Sequence, residues 1–555
     1  MRGTLSFTID IINETFDTGF RKLKQTARIT FIDSYENILI VNNYGVLDKL
    51  EVYKEINKNK EVNLNACYIS NFSLSEYRKL YKLGETDNVQ LNNFSCINSF
   101  LEAHNTIDFS YAKFTGEKVN FTQTCFGNGN LSFLKTEFGD KEVVFRDCFF
   151  GRGHSNFQYA QFGEGDIIFE NTTNIGNLSF VNTHFGTGKV NFNNVHFGNG
   201  TIEFHFSRFK KGDISFDKAV FDGGRVDFRR VEFGDGKLDF RRTDFGDSNI
   251  YFDESEFGRG RKSFKRARFG KGNISFEMTN FGKETVVFEN AEFGGGNISF
   301  FKSKMGELSF RSCHLNNYMD MRVESCDVLD LSNTIVRDVI DLKTGYSSVE
   351  IKEMRINGLR NLGKIILDWK ENKVNELIEN QKDASNFSKA EQFRILKEDF
   401  GNFGQYEDED KAYVKFKRYE LKYLHEEKLN KGAIHALYAY PVKWIQQLVF
   451  DKMGVYATNP LRVLNSMLIT YVIFSLIYYL MIHTGHGELR PGFDPPENLT
   501  ELEVSFYHSA ITFLTIGYGD YSPWGVIRAI SSIEGFVGLF LMSYFTVAFV
   551  RKILR

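Results

Sequence analysis

Apolar positions follow two different rhythms along the chain, and the switch between them divides it. Phe-Gly pairs stand twelve apart at Phe126, Phe138, Phe150 and Phe162. After a one-residue slip near Asn174 the Phe register resumes at Phe185 and runs to Phe293, with Gly following at most positions. A second series runs Phe133, Phe145, Phe157, Phe169, Phe180, Phe192, Phe204, Phe216 and on to Phe300. A fixed period of this kind predicts a stacked array in which each unit packs on its neighbours. Inside the unit, Leu131/Phe133 form an i−2, i pair, Thr136/Phe138 follow five residues later, and Val143/Phe145 seven after that. The same rhythm appears at Ile107/Phe109, Ala112/Phe114, Val119/Phe121 and Thr124/Phe126. Residues two apart in extended chain share a face, so each step offers one small or branched and one large inward side chain. The two extra residues come from stretches such as Gly127-Asn128-Gly129, where glycine is expected to permit φ > 0 at a corner. Coils of 24 or of 12 residues fit this spacing. The larger is expected, because the smaller looks too narrow to stack a Phe column from each side. Rows would then lie about 4.8 Å apart, with roughly 7 to 8 coils between residues 126 and 305. Weaker pairs at Cys313/Leu315, Leu329/Leu331 and Ile340/Leu342 carry the array toward residue 350.

The five-residue step with inward i−2 and i positions resembles the pentapeptide-repeat solenoids. That resemblance implies a four-sided right-handed β-helix, here built of 12-residue half-coils; the seven-residue step is the departure.

From about residue 373 the pattern turns helical. Ser388-Lys389-Ala390-Glu391 reads as a capping box, Gly401 to Gly404 as a break, and Glu407 to Lys431 as a second charged helix stopped by Gly432. Pro441 to Phe450 is amphipathic, with Lys443 and Trp444 suited either to a membrane interface or to a buried connector. Val463 to Ile482 carries no charge and is long enough to cross a bilayer. Val526 to Val550 is a second such stretch, interrupted by Arg528 and Glu534. Between them, Val504 to Leu514 is too short to span and reads as a re-entrant helix leading into Thr515-Ile516-Gly517-Tyr518-Gly519-Asp520.

That hexapeptide, after a short apolar helix and between two spans, resembles the pore signature of two-transmembrane potassium channels. The resemblance implies a homotetramer in which backbone carbonyls of Thr515, Ile516, Gly517 and Tyr518, with the Thr515 hydroxyl, ring potassium ions on a common axis. Gly517 and Gly519 permit the backbone angles required. Tyr518 would brace the filter and Asp520 would support its outer mouth. Ile516 replaces the commoner Val, and Phe506 and Tyr507 stand where the family usually carries a Trp pair. Gly538 resembles the family's hinge glycine, or serves close helix packing. Met542, Thr546 and Val550 follow at i+4 steps and are candidates for the cavity and gate. Glu534, an acid inside a span, is expected either to have a functional role or to pack against the pore helix.

Composition narrows the alternatives. The 555 residues are too many for one core and suggest several units. Lys+Arg of 68 against Asp+Glu of 71 gives −3, so no nucleic-acid partner is implied. Residues 126–305 hold 25 basic and 24 acidic side chains, which argues against an acidic DNA-mimicking rod. Arg229-Arg230, Arg241-Arg242 and Lys265-Arg266 form either a basic ladder or a balanced solvated face. The six cysteines show no metal spacing, and Met1-Arg2-Gly3 leads into no secretory signal. No nucleophile, metal or phosphate-loop constellation points to an enzyme, and no cofactor is expected beyond permeant potassium. Only two spans and no Arg-periodic helix argue against a voltage sensor. Lys443, Lys452 and Arg462 precede the first span and Arg551, Lys552 and Arg555 follow the second. Glu488, Asp494, Glu497, Glu501 and Glu503 with Arg490 lie between. This places both termini in the cytoplasm, in a cell or plasma membrane. His483 and His486 would lie outside, as pH sensors or as solvated loop residues.

The expected organisation is therefore a cap at 1–104, a β-solenoid at 105–355, a helical hairpin connector at 356–440, an interfacial helix and linker at 441–460, and a two-span pore at 461–555. The chain ends five residues after Val550, so a gating domain is expected on the N-terminal side, with an unidentified cytoplasmic ligand as a possible partner. Two other readings stay open: a non-selective cation channel, and a membrane-anchored binding scaffold with a vestigial pore.

Overall fold

The computed structural model describes residues 6–33, 35–345, 349–431, 433–492 and 499–554. Met1 to Gly3, Gly432, Asp494, Glu497 and Arg555, to which the sequence assigns roles, lie outside the described residues. The chain forms two compact units, residues 1–382 and 383–555.

The first unit is a parallel β-solenoid. Its register confirms the 24-residue coil: Ile107 pairs with Leu131, Val119 with Val143, and Cys125 with Phe149. One sheet alone stacks twelve strands, from Thr106–Asp108 to Lys364–Ile366. Phe121, Phe145, Phe169, Phe192 and Phe216 stack ring on ring at 4.7–5.0 Å. Phe109, Phe133, Phe157 and Phe180 form a second column at 4.8–5.0 Å, edge-on to the first. Centroid spacing follows strand spacing, so backbone pairing and aromatic stacking reinforce one another. The small inward residues are satisfied too: the hydroxyls of Thr136, Thr172, Thr243 and Thr279 each donate to a Phe carbonyl of the coil before. Near the slip, Asn174 takes a Phe place between Phe150 and Phe197 and donates to the Gly176 carbonyl at 2.7 Å.

Three expectations need correction. Gly127 and Gly129 are not left-handed corners, although Gly224, Gly234 and Gly246 in the equivalent stretches are left-handed, at φ 88°, 56° and 51°. The regular corners are non-glycine residues such as Lys135, Asp147, Tyr159 and Asn171, at φ 52–58°. The glycines serve close stacking: a Cβ on Gly151 would lie 2.1 Å from the Gly127 carbonyl oxygen of the coil before. The strand ladder also runs past residue 355, to Ile366. At the other end it begins inside the expected cap, where Gly45 pairs with Cys67 and Tyr68 with Phe100. The antiparallel strands Ser6–Ile12, Thr26–Ile32 and Ile38–Val46 cap the stack. They bury Ala27, Ile29 and Phe31 against Phe100 and Tyr68. Short helices α1 (Lys49–Asn57) and α2 (Leu74–Leu80) lie within these first coils, and α3 (Val374–Glu379) follows the last.

Most members of the basic pairs meet carboxylates, Arg230, Arg242 and Lys265 one coil away at Glu254, Asp217 and Glu289, and Arg229 and Arg241 in their own coil at Asp227 and Asp239. They make a balanced face, not a ladder. All six cysteines are buried free thiols in this unit.

The second unit is helical. Helix α4 (Asn386–Asn402) is capped by Ser385, whose hydroxyl accepts from the Ser388 N–H. The cap thus sits three residues before the expected Ser388, because Ser385 is the hydroxyl with extended backbone there. Gly404 at φ 72° turns the chain into α5 (Tyr406–Asn430). Helix α6 (Ala433–Gln446) starts before Pro441 and continues as a π-helical turn over Gln447–Lys452. Then come α7 (Pro460–His483), α8 (Glu501–Phe513) and α9 (Ile527–Ile553). Both α7 and α9 are long and apolar enough to cross a membrane, with a mean hydropathy of 1.8.

Candidate pore site

Thr500 starts α8. Its hydroxyl accepts from the Glu503 N–H, and the Glu503 carboxylate accepts from the Thr500 N–H. This reciprocal cap satisfies the amide end of α8. The carbonyl end leads into Thr515 and favours positive charge there. The turn out of the helix is set by Ile516 and Gly517, whose N–H groups both donate to the Ile511 carbonyl.

The backbone from Thr515 to Gly519 is unusual. Thr515, Gly517 and Gly519 lie in the left-handed region, at φ 58°, 61° and 79°, while Ile516 and Tyr518 between them do not. Alternation of hand from one residue to the next turns successive carbonyls toward one side instead of zigzagging them. Gly517 and Gly519 adopt the left-handed angle without a Cβ penalty; Thr515 does not have that freedom. Tyr518 and Ile516 stand exposed in the single chain.

One contact holds this segment and others tie together the helices beside it. Tyr507 on α8 donates to Asp520 at 2.5 Å. Glu534 on α9 is fully buried, accepting from Tyr478 of α7 at 2.6 Å and from Ser509 of α8. His508 reaches Ser531 at 3.0 Å. The acid in the second span thus packs against the pore helix and ties all three helices together. Gly538 is buried where α9 meets the end of α8, and a Cβ there would lie 2.0 Å from the Phe513 carbonyl oxygen. Close packing is the role this geometry gives it, and α9 runs unbroken through it. Farther along α9, Met542 is half-buried, and Thr546 and Val550 are exposed in the single chain.

A family model described as "Ion channel" matches residues 466–555. The chain belongs to this ion channel family. The channel is 32% identical over 109 residues to Protein LctB of Bacillus caldotenax, covering 19% of this chain and 76% of that one. It is 30% identical over the same length to Protein LctB of Geobacillus stearothermophilus, with the same coverage. No solved structure matches.

On either side of α8 and the T-I-G-Y-G-D segment, the chain forms a short antiparallel pair, Gly487–Pro491 with Tyr521–Gly525. Trp524 there lies between Arg490 and Arg528, 4.1 and 4.7 Å from its ring. His483 lies 3.4 Å from Glu501, and His486 contacts Thr484. Sequence reasoning missed Tyr507 as the partner of Asp520. The signal was an aromatic hydroxyl on the pore helix in place of the expected indole.

Proposed function

We propose that this chain is one subunit of a homotetrameric potassium channel. In this reading the carbonyls of Thr515, Ile516, Gly517 and Tyr518, with the Thr515 hydroxyl, replace the water shed by the ion. Potassium is the permeant ligand and no cofactor is needed. The observation that carries the proposal is the alternating left-handed backbone at Thr515, Gly517 and Gly519, immediately after a capped helix and between two apolar helices. One chain supplies only one wall of such a site. Four chains on one axis would close it, with Met542, Thr546 and Val550 lining the inner cavity.

Positive charge at Lys443, Lys452, Arg462, Arg551 and Lys552 supports a cytoplasmic position for the regions flanking both spans. The solenoid is then cytoplasmic as well and gates the pore through α4 and α5.

Purified protein in liposomes tests this reading. The expected result is potassium flux far above sodium flux, abolished by Gly517→Asp, from an assembly four times 64.1 kDa by native mass. Equal sodium and potassium flux would favour a non-selective channel. A monomer or dimer without flux would overturn the proposal. Removing residues 1–370 is expected to change open probability; no change would refute gating by the solenoid.

A further inference from the structure

The segment that leads into the first span is wound the wrong way. Val455, Tyr456 and Ala457 are consecutive non-glycine residues in the left-handed region, at φ 49°, 55° and 62°. A β-branched residue there is an outlier, and three in a row persist only if neighbours hold them. The neighbour is Tyr544, from the second span. Its hydroxyl accepts from the Ala457 N–H and donates to the Phe450 carbonyl, both at 3.0 Å. Its ring fills the space beside Gly454, where a Cβ would lie 2.4 Å away. Ala457 packs with Val463 and Ala548 around the same ring. One side chain of α9 therefore closes a turn that belongs to the entry of α7.

Helix α5 grips both partners. Arg418 pairs with Asp451 at 2.8 Å, three residues before Gly454. Asp410 pairs with Arg551 and Lys552 at 2.8 and 2.9 Å, at the end of α9. Arg551 also lies over the Tyr413 ring at 4.5 Å. A displacement of α5 pulls on the turn and on the end of the second span together.

We propose that Tyr544 is a positioning residue for gating: it latches the left-handed turn 455–457 to the second span, so that movement of α5 is read out as movement of α9. This rests on the channel reading above. Breaking the latch and relieving the turn should act in opposite senses. Tyr544→Phe removes both hydrogen bonds while keeping the ring, and disfavours the latched state. Ala457→Gly removes the Cβ penalty of the left-handed angle, and favours it.

The test is single-channel recording of the full-length protein in planar bilayers, with reversal potentials measured in the same membranes. Tyr544→Phe is expected to change the open-to-closed ratio about three- to tenfold. Ala457→Gly is expected to change it in the opposite direction, and the double variant to return toward wild type. Potassium selectivity should stay the same in all three. Equal ratios in wild type and Tyr544→Phe, or shifts of the same sign in both single variants, would overturn the latch while leaving the channel reading intact. A wild type without selective current would overturn both. If Tyr544→Phe does not assemble, Ala457→Gly alone still decides: an unchanged ratio overturns the latch.

Discussion

Tyr507 donates its phenolic hydrogen to the carboxylate of Asp520, joining the pore helix to the residue that closes the T-I-G-Y-G-D segment. The bond spans thirteen positions of sequence and is charge-assisted. Tyr507→Phe keeps the ring and removes the donor. On the proposed reading, the expected outcome is a shorter-lived conducting state and a lower melting temperature for the assembly in potassium. Tyr507→Trp, which restores a donor, should recover much of the loss. Equal open lifetimes for wild type and Tyr507→Phe would show that the bond does not hold the segment.

Glu534 accepts from one side chain of each neighbouring helix. Truncating it to Ala strands the Tyr478 and Ser509 hydroxyls in a buried site, at about 1–3 kcal/mol for each group left without a partner. Glu534→Gln keeps one acceptor oxygen and should cost less. Tyr478→Phe removes one donor and should cost about 1 kcal/mol. The order expected for assembled protein surviving heating in detergent is wild type, Tyr478→Phe, Glu534→Gln, Glu534→Ala. An Ala variant as heat-resistant as wild type would rule out the tie.

Gly538 separates the packing role from the hinge role. Its absent Cβ is what lets the Phe513 carbonyl approach. Gly538→Ala is expected to reduce assembly, since backbone must move to make room. A glycine needed only as a hinge would tolerate Ala in the unbent helix. Full assembly of Gly538→Ala, with gating alone altered, would favour the hinge.

These contacts show where sequence is informative. The 24-residue coil was legible because Phe recurs in the same columns, so periodicity alone reported the stack. The coil ends were less so, because the last turns place Leu315 and Val336, Met321 and Leu342, and Leu331 and Ile356 in positions that Phe holds earlier. The glycines divide between positive φ, as at Gly234, and close approach, as at Gly151, and sequence does not distinguish the two because both select against Cβ. The T-I-G-Y-G-D segment was legible because its chemistry is contiguous. Its bracing was not: the partners of Glu534 lie 25 and 56 positions away. An acid inside an apolar span signals that partners exist without naming them.

Lys262 breaks the chemistry of its column. It pairs in register between Leu238 and Val286, in a row otherwise filled by inward aliphatic side chains. The residue is 2% exposed, and its ammonium donates to the carbonyls of Gly258 and Phe281 at 2.6 and 2.7 Å. Burial outweighs the nearby carboxylates and pushes its pKa down from 10.5 to about 8. A lowered lysine pKa fixes the sign of the linkage. Below pH 8 both folded and unfolded chains carry the proton, and the penalty is constant. Between about 8 and 10.5 the folded chain has released it while the unfolded chain has not, so stability rises with pH. Above 10.5 the contribution is level again. At ~1.4 kcal/mol per unit, the window is worth about 2–3 kcal/mol. Lys262→Met keeps the length of the side chain and removes the titration. Urea unfolding of both proteins between pH 7 and 10.5 should show wild type gaining on the variant by that amount as pH rises. A difference between the two that is independent of pH would mean that this lysine does not titrate in the folded solenoid.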